Sequence, residues 1–89
     1  MEQEKKLEIK NRLGLHARPA ALLVQMIKQY KSEVFIEKNG EVIDGRSILS
    51  VLTLAGEPGS VLKFKITGHD APELMNRIEA FFQNRFNED

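Results

Sequence analysis

Residues 32–45 read SEVFIEKNGEVIDG, and this stretch decides how the chain folds. β-branched and aromatic residues flank the pair Asn39-Gly40. Asn-Gly is the pair that a tight type I′ turn prefers, because both central residues of that turn need a positive φ. The stretch therefore predicts a β-hairpin, and with it an antiparallel sheet.

The chain before the hairpin predicts one strand and one helix. Leu7 and Ile9 alternate with charged residues, as in a strand with one buried face. Residues 11–14 are typical of a turn. Pro19 suits the first turn of a helix, where its missing N–H costs nothing. Apolar residues then follow helical spacing at Ala20, Leu23, Val24 and Ile27, with Tyr30 at the end.

The chain after the hairpin predicts a helix, a strand and a second helix. RSILSVLTLAG, residues 46–56, is too apolar for a loop and ends on Gly56, a typical helix stop. Residues 62–67 alternate apolar and polar side chains, as a half-buried strand does. Asp70 and Glu73 form a capping-box pattern before the last helix. Its apolar face is predicted to contain Ala71, Leu74, Ile78, Phe81 and Phe82. We expect the final NRFNED, residues 84–89, to be frayed.

The predicted order of elements is β-α-β-β-α-β-α, without repeats or linkers. This order predicts an α+β open-faced β-sandwich, with a four-stranded antiparallel sheet and three helices on one face. The other face of the sheet is left largely to solvent, as an antiparallel sheet permits. With 89 residues, the chain (residues 1–89) is expected to be a single domain with one modest core.

Charge and composition restrict the classes of function. Thirteen basic residues balance thirteen acidic ones, so no strong field of one sign attracts nucleic acid or a membrane surface. There are no cysteines, hence neither a disulfide framework nor a thiolate metal site. The charged start, MEQEKKLEIK, lacks the apolar stretch of a signal peptide. We expect a cytoplasmic monomer that neither binds nucleic acid nor inserts into membranes.

GLHARP, residues 14–19, brings together residues suited to phosphate chemistry. If the helix begins just after His16, the backbone N–H groups of Ala17 and Arg18 have no partner within it and carry the positive end of its dipole. Helix starts of this kind bind phosphate. Arg18 adds planar guanidinium donors that match phosphate oxygens, and Gly14 allows the tight turn that exposes the imidazole. The motif predicts a phosphate site with His16 as nucleophile.

The sequence offers His16 no second catalytic group. It contains no glycine-rich nucleotide loop and no metal-binding cluster, so we predict neither a cofactor nor a metal. Such a site could accept and release a phosphoryl group, but it could not by itself choose or activate a substrate. The chain is therefore predicted to be a phosphoryl carrier, an intermediate of transfer rather than a stand-alone catalyst. The alternative is a small regulatory or ligand-binding α+β domain in which GLHARP is a structural turn.

Two motifs resemble those of a known family. GLHARPAA, residues 14–21, resembles the active-site signature of the HPr family, histidine-containing phosphocarriers of the bacterial phosphoenolpyruvate-dependent sugar phosphotransferase system. GRSIL, residues 45–49, is similar to the family's second signature. The resemblance covers essentially the whole chain and implies the open-faced β-sandwich. It also implies that His16 takes phosphate on Nδ1 from phosphorylated enzyme I and passes it to enzyme IIA components, with Arg18 as the phosphate partner.

Ser47 has two interpretations. It stands where the N-cap of the second helix belongs, and capping alone would justify a serine there. The resemblance implies that it is also the target of an ATP-dependent HPr kinase/phosphorylase, which many but not all bacteria possess. Arg46 and Ser50 depart from the family pattern, in which lysine and glycine are frequent at these positions. The sequence leaves both interpretations open.

The second helix is too small to bury all its apolar residues. At 100° per residue, Ile48, Val51 and Ala55 share the side that can face the sheet. Leu49 and Leu52 fall toward solvent, which predicts a docking surface beside the phosphate site. The resemblance implies that enzyme I and other partners contact these positions. The alternative is that both leucines merely edge the core.

Overall fold

The computed structural model describes residues 1–54 and 56–88. Its strands are β1 (Glu2–Glu8), β2 (Glu33–Lys38), β3 (Glu41–Asp44) and β4 (Val61–Thr67). Its helices are α1 (Ala17–Lys28), α2 (Ile48–Thr53) and α3 (Ala71–Gln83), and a short C-terminal turn spans Arg85–Asn87. The predicted order of strands and helices is confirmed. Within residues 1–54 and 56–88, every helix is too short or too polar to span a bilayer.

The four strands form one antiparallel sheet in the order β1-β4-β2-β3. The β2–β3 hairpin turns at Asn39 and Gly40, whose φ values of 51° and 86° are those that a type I′ turn requires. Apolar side chains alternate along β2 and β4 and are buried on one face. The α+β open-faced β-sandwich with three helices is therefore confirmed.

The other face of the sheet consists mainly of charged side chains. Lys65 pairs with Glu2 at 3.1 Å, and Lys63 pairs with Glu4 at 3.2 Å, both across β1 and β4. Exposed pairs of this kind add little stability, but they keep the open face soluble. Val42 on β3 is the most exposed apolar side chain among the strands.

The core reaches the C-terminal turn, which corrects the prediction of a frayed end for residues 84–88; position 89 lies outside the described residues. Phe86 is fully buried, with its ring centroid 4.8 Å from that of Phe82 and 5.0 Å from that of Phe81. Phe82 also meets Phe64 of β4 edge to face at 5.4 Å. Pairs of aromatic rings in this geometry stabilise the folded state beyond what the burial of their apolar surface contributes. The aromatic cluster therefore fixes the turn around Phe86 against α3 and the sheet.

The predicted capping box at the start of α3 is wrong. Asp70 makes no side-chain cap for its own helix. Its carboxylate instead accepts hydrogen bonds from the backbone N–H groups of Lys31 and Ser32, at 2.9 and 3.1 Å, and from the Ser32 hydroxyl. The Ser32 hydrogen bond holds the pKa of Asp70 below its ordinary value. Glu73 accepts from the Tyr30 hydroxyl at 3.0 Å, so both acids tie the start of α3 to residues 30–32, between α1 and β2.

Gly14 fixes the position at which α1 begins. Its φ is +71°, and a Cβ added there would lie 2.5 Å from the carbonyl oxygen of Gly56. That oxygen accepts a hydrogen bond from the N–H of Leu15 at 2.8 Å, so it is not free to move away. A residue without a side chain is therefore needed here for two separate reasons, the positive φ and the close backbone approach.

Gly14→Ala is expected to destabilise the protein more than Gly40→Ala. Gly40 also has a positive φ, +86°, but nothing lies within 4 Å of its added Cβ. The control should therefore lose only the left-handed penalty of about 1–2 kcal/mol, whereas Gly14→Ala should lose at least ~1 kcal/mol more because of the overlap with Gly56. Urea unfolding of both variants measures the difference. Equal losses would show that the loop around Gly56 yields freely.

Candidate functional site

The sequence-predicted site lies at the first turn of α1. The helix begins at Ala17 with His16 as its N-cap in an extended conformation, and the His16 side chain makes no capping hydrogen bond. The first intrahelical bond of the turn runs from the N–H of Ala20 to the carbonyl of His16, at 2.9 Å. Pro19 has no N–H to satisfy. The N–H groups of Ala17 and Arg18 therefore have no hydrogen-bond partner among residues 1–54 and 56–88.

The His16 ring is half-buried and has an unexpected neighbour. Its Nε2 lies 2.9 Å from Oε1 of Glu88, and the imidazole side chain is 35% exposed. The Glu88 side chain is 19% exposed. The contact uses Nε2 only, so Nδ1 is the ring nitrogen that Glu88 leaves open.

Arg18 is held by the same carboxylate. Its Nε and one terminal nitrogen, Nη2, donate to Oε2 of Glu88 at 3.2 and 2.9 Å. Nη2 also donates to the carbonyl oxygen of Phe86 at 2.8 Å. These three bonds use the N–H of Nε and both N–H groups of Nη2. The two N–H groups of Nη1 have no partner among the described residues.

Asn11 completes the surroundings of Glu88. The side chain is fully buried, and its Nδ2 donates to the carbonyl of Gly14 at 2.8 Å and to Oε1 of Glu88 at 2.7 Å. Its Oδ1 is buried without a hydrogen-bond partner among the described residues. Asn11 thus joins the loop before α1 to the C-terminal segment.

Glu88 is the most strongly perturbed acid of the site. The hydrogen bond from His16 lowers its pKa to about 2, with Arg18 and Asn11 acting in the same direction and outweighing the opposite effect of burial. The carboxylate is therefore ionised throughout the physiological range of pH. A permanently charged carboxylate can only accept hydrogen bonds.

Sequence reasoning missed Asn11 and Glu88. Asn11 carried a weak signal, since an asparagine that follows a strand and precedes a tight glycine turn is suited to bonding nearby backbone. Glu88 carried none, because it lies 72 residues from His16 along the chain. His69, the other histidine, is exposed and away from these contacts, as expected.

The structure of α2 confirms some of the sequence-based predictions for this helix and corrects others. Ser47 is its N-cap, and its hydroxyl accepts from the N–H of Ser50 at 3.2 Å. Val51 is buried as predicted and Leu49 is 72% exposed. Ile48 was expected to face the sheet but is 40% exposed. The prediction for Ala55 falls outside the described residues.

Leu52 differs from Leu49 in its surroundings. It is half-buried and packs against the hydrophobic core, so the expectation that it turns toward solvent holds only in part. A six-residue helix lies with one side on the core, and Leu52 is at the border of that side. Leu13, three residues before His16, is a further exposed apolar side chain that the sequence analysis did not select.

The arrangement suits reversible group transfer. A ring nitrogen that can act as a nucleophile stands beside two backbone N–H groups without partners among the described residues, and beside a guanidinium that is positioned by its own hydrogen bonds. The backbone donors and the guanidinium favour an anion at the start of α1, and the ionised Glu88 carboxylate offsets part of their positive charge. A transferable anionic group such as phosphoryl matches them in charge and in hydrogen bonding.

Comparison with known proteins finds relatives along nearly the whole chain. A family model described as the phosphorylation site of the PTS HPr component, where PTS stands for phosphotransferase system, matches residues 3–84. The chain is 38% identical to the phosphocarrier protein HPr of Xylella fastidiosa over 86 residues, which are 97% of each chain.

Solved structures from Thermoanaerobacter tengcongensis are similar as well. A structure of HPr-C-His matches with a TM-score of 0.93 and 34% identity, covering 98% of each chain. A structure of an HPr dimer matches with a TM-score of 0.78 and 35% identity, covering 92% of this chain and 94% of that one.

These similarities decide between the two functions that the residues left open. They support a phosphocarrier of the phosphotransferase system over a regulatory or ligand-binding domain with a structural GLHARP turn. The partners of such a carrier are, in general, other components of that system. The chain therefore belongs to the HPr family of phosphocarrier proteins.

Proposed function

We propose that His16 accepts a phosphoryl group on Nδ1 from phosphorylated enzyme I and donates it to enzyme IIA components, for sugar uptake or its regulation. The observation that carries the proposal is the position of the imidazole at the N-cap of α1. During transfer, the bond between phosphorus and the donor breaks as the bond to Nδ1 forms, and the donor leaves with that electron pair. Passage to enzyme IIA reverses the step. The chain is the intermediate of transfer and needs no cofactor or metal of its own.

The backbone of α1 and the Arg18 side chain would hold the phosphoryl oxygens. The N–H groups of Ala17 and Arg18 lie at the positive end of the helix dipole and have no partner in the part of the chain that the structure describes. Arg18 can contribute Nη1 without releasing Glu88 or the Phe86 carbonyl, because those partners use Nε and Nη2. An arginine fixed in this way is oriented before the phosphoryl group arrives, which lowers the entropic cost of binding it.

Leu49 is the main candidate for docking enzyme I and enzyme IIA. Its side chain projects from α2 into solvent, whereas Leu52 is shared with the core. Ile48 and Leu13 add exposed apolar surface on α2 and on the loop before His16. Apolar anchors at the centre of an interface carry much of the binding energy. Leu52 lies at the border of the proposed docking surface, because part of its side chain packs against the core.

Ser47 is proposed to be a second, regulatory phosphorylation site for an HPr kinase/phosphorylase. Its hydroxyl is the cap of α2, two residues before Leu49. A phosphate there would keep a favourable position at the helix start and place a charge of about −1.5 to −2 beside the docking surface. Capping alone remains the competing explanation of this serine.

We further expect a monomer that works in the cytoplasm. The charge balance gives neither a membrane surface nor nucleic acid a strong attraction. The similar HPr from Thermoanaerobacter tengcongensis has been solved as a dimer, so the oligomeric state of this chain has to be measured. Light scattering across a range of concentrations measures it directly.

His16→Ala is expected to abolish phosphate acceptance and leave the fold intact, because the half-buried ring makes no capping bond and its hydrogen bond to Glu88 lies outside the core. The assay is mass spectrometry after incubation with enzyme I and phosphoenolpyruvate, with circular dichroism as the measure of folding. His69→Ala is the matched control, since it removes the other histidine and should still gain one acid-labile phosphate. A phosphorylated His16→Ala protein would refute the assignment.

Leu49→Glu is expected to weaken docking by ~2 kcal/mol, or roughly 30-fold in the apparent affinity for enzyme I, with little change in stability. Val42→Glu adds the same charge to an exposed apolar position on the open face of the sheet, and it should transfer phosphate normally. The comparison uses phosphotransfer titrations and melting curves for both variants. Equal effects of the two variants on transfer would remove Leu49 from the interface.

Ser47→Asp is expected to keep or raise the stability of the protein, by about 0.3–1 kcal/mol at low salt, because a carboxylate suits the N-cap and the helix dipole. It should nevertheless slow transfer if the partner surface is acidic, as the family resemblance suggests for enzyme I. Ser47→Ala separates charge from capping, since it should lose about 1 kcal/mol and transfer at the normal rate. Normal transfer by Ser47→Asp would leave this serine with its capping role alone.

A further inference from the structure

The contact between Glu88 and His16 bears on which ring nitrogen carries the proton. Oε1 of Glu88 lies 2.9 Å from Nε2, and an ionised carboxylate has no proton to donate. In a neutral imidazole one nitrogen carries the hydrogen and the other the lone pair. A hydrogen bond at this distance therefore requires Nε2–H, and it leaves the lone pair on Nδ1.

We propose that Glu88 is a positioning residue that keeps the proton of neutral His16 on Nε2 and so makes Nδ1 the nucleophile. The reaction it serves rests on the proposed function, whereas the tautomer itself does not. After the Nδ1–phosphorus bond forms, the ring carries its proton on Nε2 and a positive charge that the Glu88 carboxylate balances. When the phosphoryl group leaves, the electron pair returns to Nδ1. No proton has to enter or leave the ring in either direction.

Asn11 fixes the oxygen that faces His16. Its Nδ2 uses both hydrogens, one on the Gly14 carbonyl at 2.8 Å and one on Oε1 of Glu88 at 2.7 Å. Exchanging the amide oxygen and nitrogen would place Oδ1 against two acceptors, so the orientation is forced. The side chain is fully buried. Asn11 thereby ties Oε1 to the same loop that carries His16.

Arg18 fixes the second oxygen of the carboxylate. Two of its nitrogens contact Oε2, at 2.9 and 3.2 Å, and the planar guanidinium prevents the carboxylate from turning. Both oxygens of Glu88 are consequently held in place. Asn11, in the loop before α1, holds Oε1, and Arg18, in the first turn of α1, holds Oε2. Oε1 cannot leave Nε2 unless contacts on both sides break.

The backbone that delivers Glu88 has an unusual conformation. Arg85, Phe86 and Asn87 have φ values of 54°, 57° and 59°. A run of three non-glycine residues in the left-handed region is unfavourable and persists only when its surroundings enforce it. The buried Phe86 ring and the bond from Arg18 to the Phe86 carbonyl supply that enforcement. The turn directs the chain back to α1 and places Glu88 against the histidine.

The direct test is nitrogen NMR of the full-length chain with ¹⁵N-labelled histidine, at a pH where titration shows the His16 ring to be neutral. In the wild type, Nε2 should show the shift of a protonated nitrogen and Nδ1 that of an unprotonated one. In Glu88→Gln both shifts should move toward the average of the two tautomers, because the amide can donate as well as accept. Unchanged shifts in Glu88→Gln, or a proton on Nδ1 in the wild type, would overturn the proposal.

Glu57→Gln is the matched control. It also removes one negative charge, and the exposed Glu57 side chain makes no hydrogen bond or ion pair with the described residues. Its imidazole shifts should equal those of the wild type. Melting curves of all three proteins show whether Glu88→Gln keeps the fold. A control that moved the shifts as much as Glu88→Gln would assign the effect to net charge and refute a positioning role.

Chemical phosphorylation with phosphoramidate tests the consequence without any partner protein. Glu88→Gln should react at Nδ1 about twofold more slowly, because a neutral ring shared equally between its two tautomers carries the lone pair on Nδ1 only half of the time. Phosphorus NMR should also detect a fraction modified on Nε2. Faster reaction of Glu88→Gln, entirely at Nδ1, would show that the carboxylate only obstructs the site. If wild type accepts no phosphate from phosphoramidate or from enzyme I, the proposed function fails, and the nitrogen shifts still decide the role of Glu88.

Discussion

The start of α1 depends on one backbone hydrogen bond, from the N–H of Leu15 to the carbonyl of Gly56 at 2.8 Å. This bond joins the loop after β1 to the loop before β4. Gly14 has no side chain at the point where the Gly56 carbonyl approaches, and the Leu15 side chain is buried behind it. His16 is the next residue, so the bond sets where the helix begins and where the imidazole emerges. The anion-binding backbone of α1 is therefore aligned by the core rather than by the helix itself.

The positive start of α1 has an internal counter-charge. Glu88 accepts from Arg18, His16 and Asn11 at once, and these donors keep its carboxylate ionised. A charged group that is mostly removed from water is stable only when its lone pairs are satisfied. The same contacts keep Arg18 in one orientation and leave its Nη1 without a partner among the described residues. Charge balance and orientation of the site thus come from a single side chain.

In the short helix α2, some residues stabilise the fold and others are exposed at the surface. It has six residues, and so few turns cannot repay the cost of nucleation by themselves. The Ser47 cap at one end and Val51 buried beneath it hold the helix in place. Leu49 is not needed to pack against the core, and its side chain is exposed to solvent. A helix anchored by one cap and one core residue can therefore present an apolar side chain without losing its structure.

The order of the strands and the three α-helices, and the start of α1, could be predicted from the sequence alone. The Asn39-Gly40 turn, the alternation along β4 and the beginning of α1 after His16 all follow from contacts between near neighbours, which periodicity and turn chemistry report. Asp70 looked like a helix cap but satisfies the backbone of residues 31 and 32 instead. Asp70 can accept either from the N–H groups at the start of α3 or from those of residues 31 and 32. Which set it accepts from depends on how α1 and α3 pack.

The role of the C-terminal residues could not be predicted from the sequence, because it depends on how distant elements pack. NRFNED resembles a polar tail with one aromatic residue, and no local pattern favours three consecutive left-handed residues. Burial of Phe86 against Phe81 and Phe82 stabilises that turn, and the turn brings Glu88 to a histidine 72 residues earlier. A pairing over that distance leaves no periodic signal in the sequence, because it exists only after α3 has packed beside α1 on the sheet.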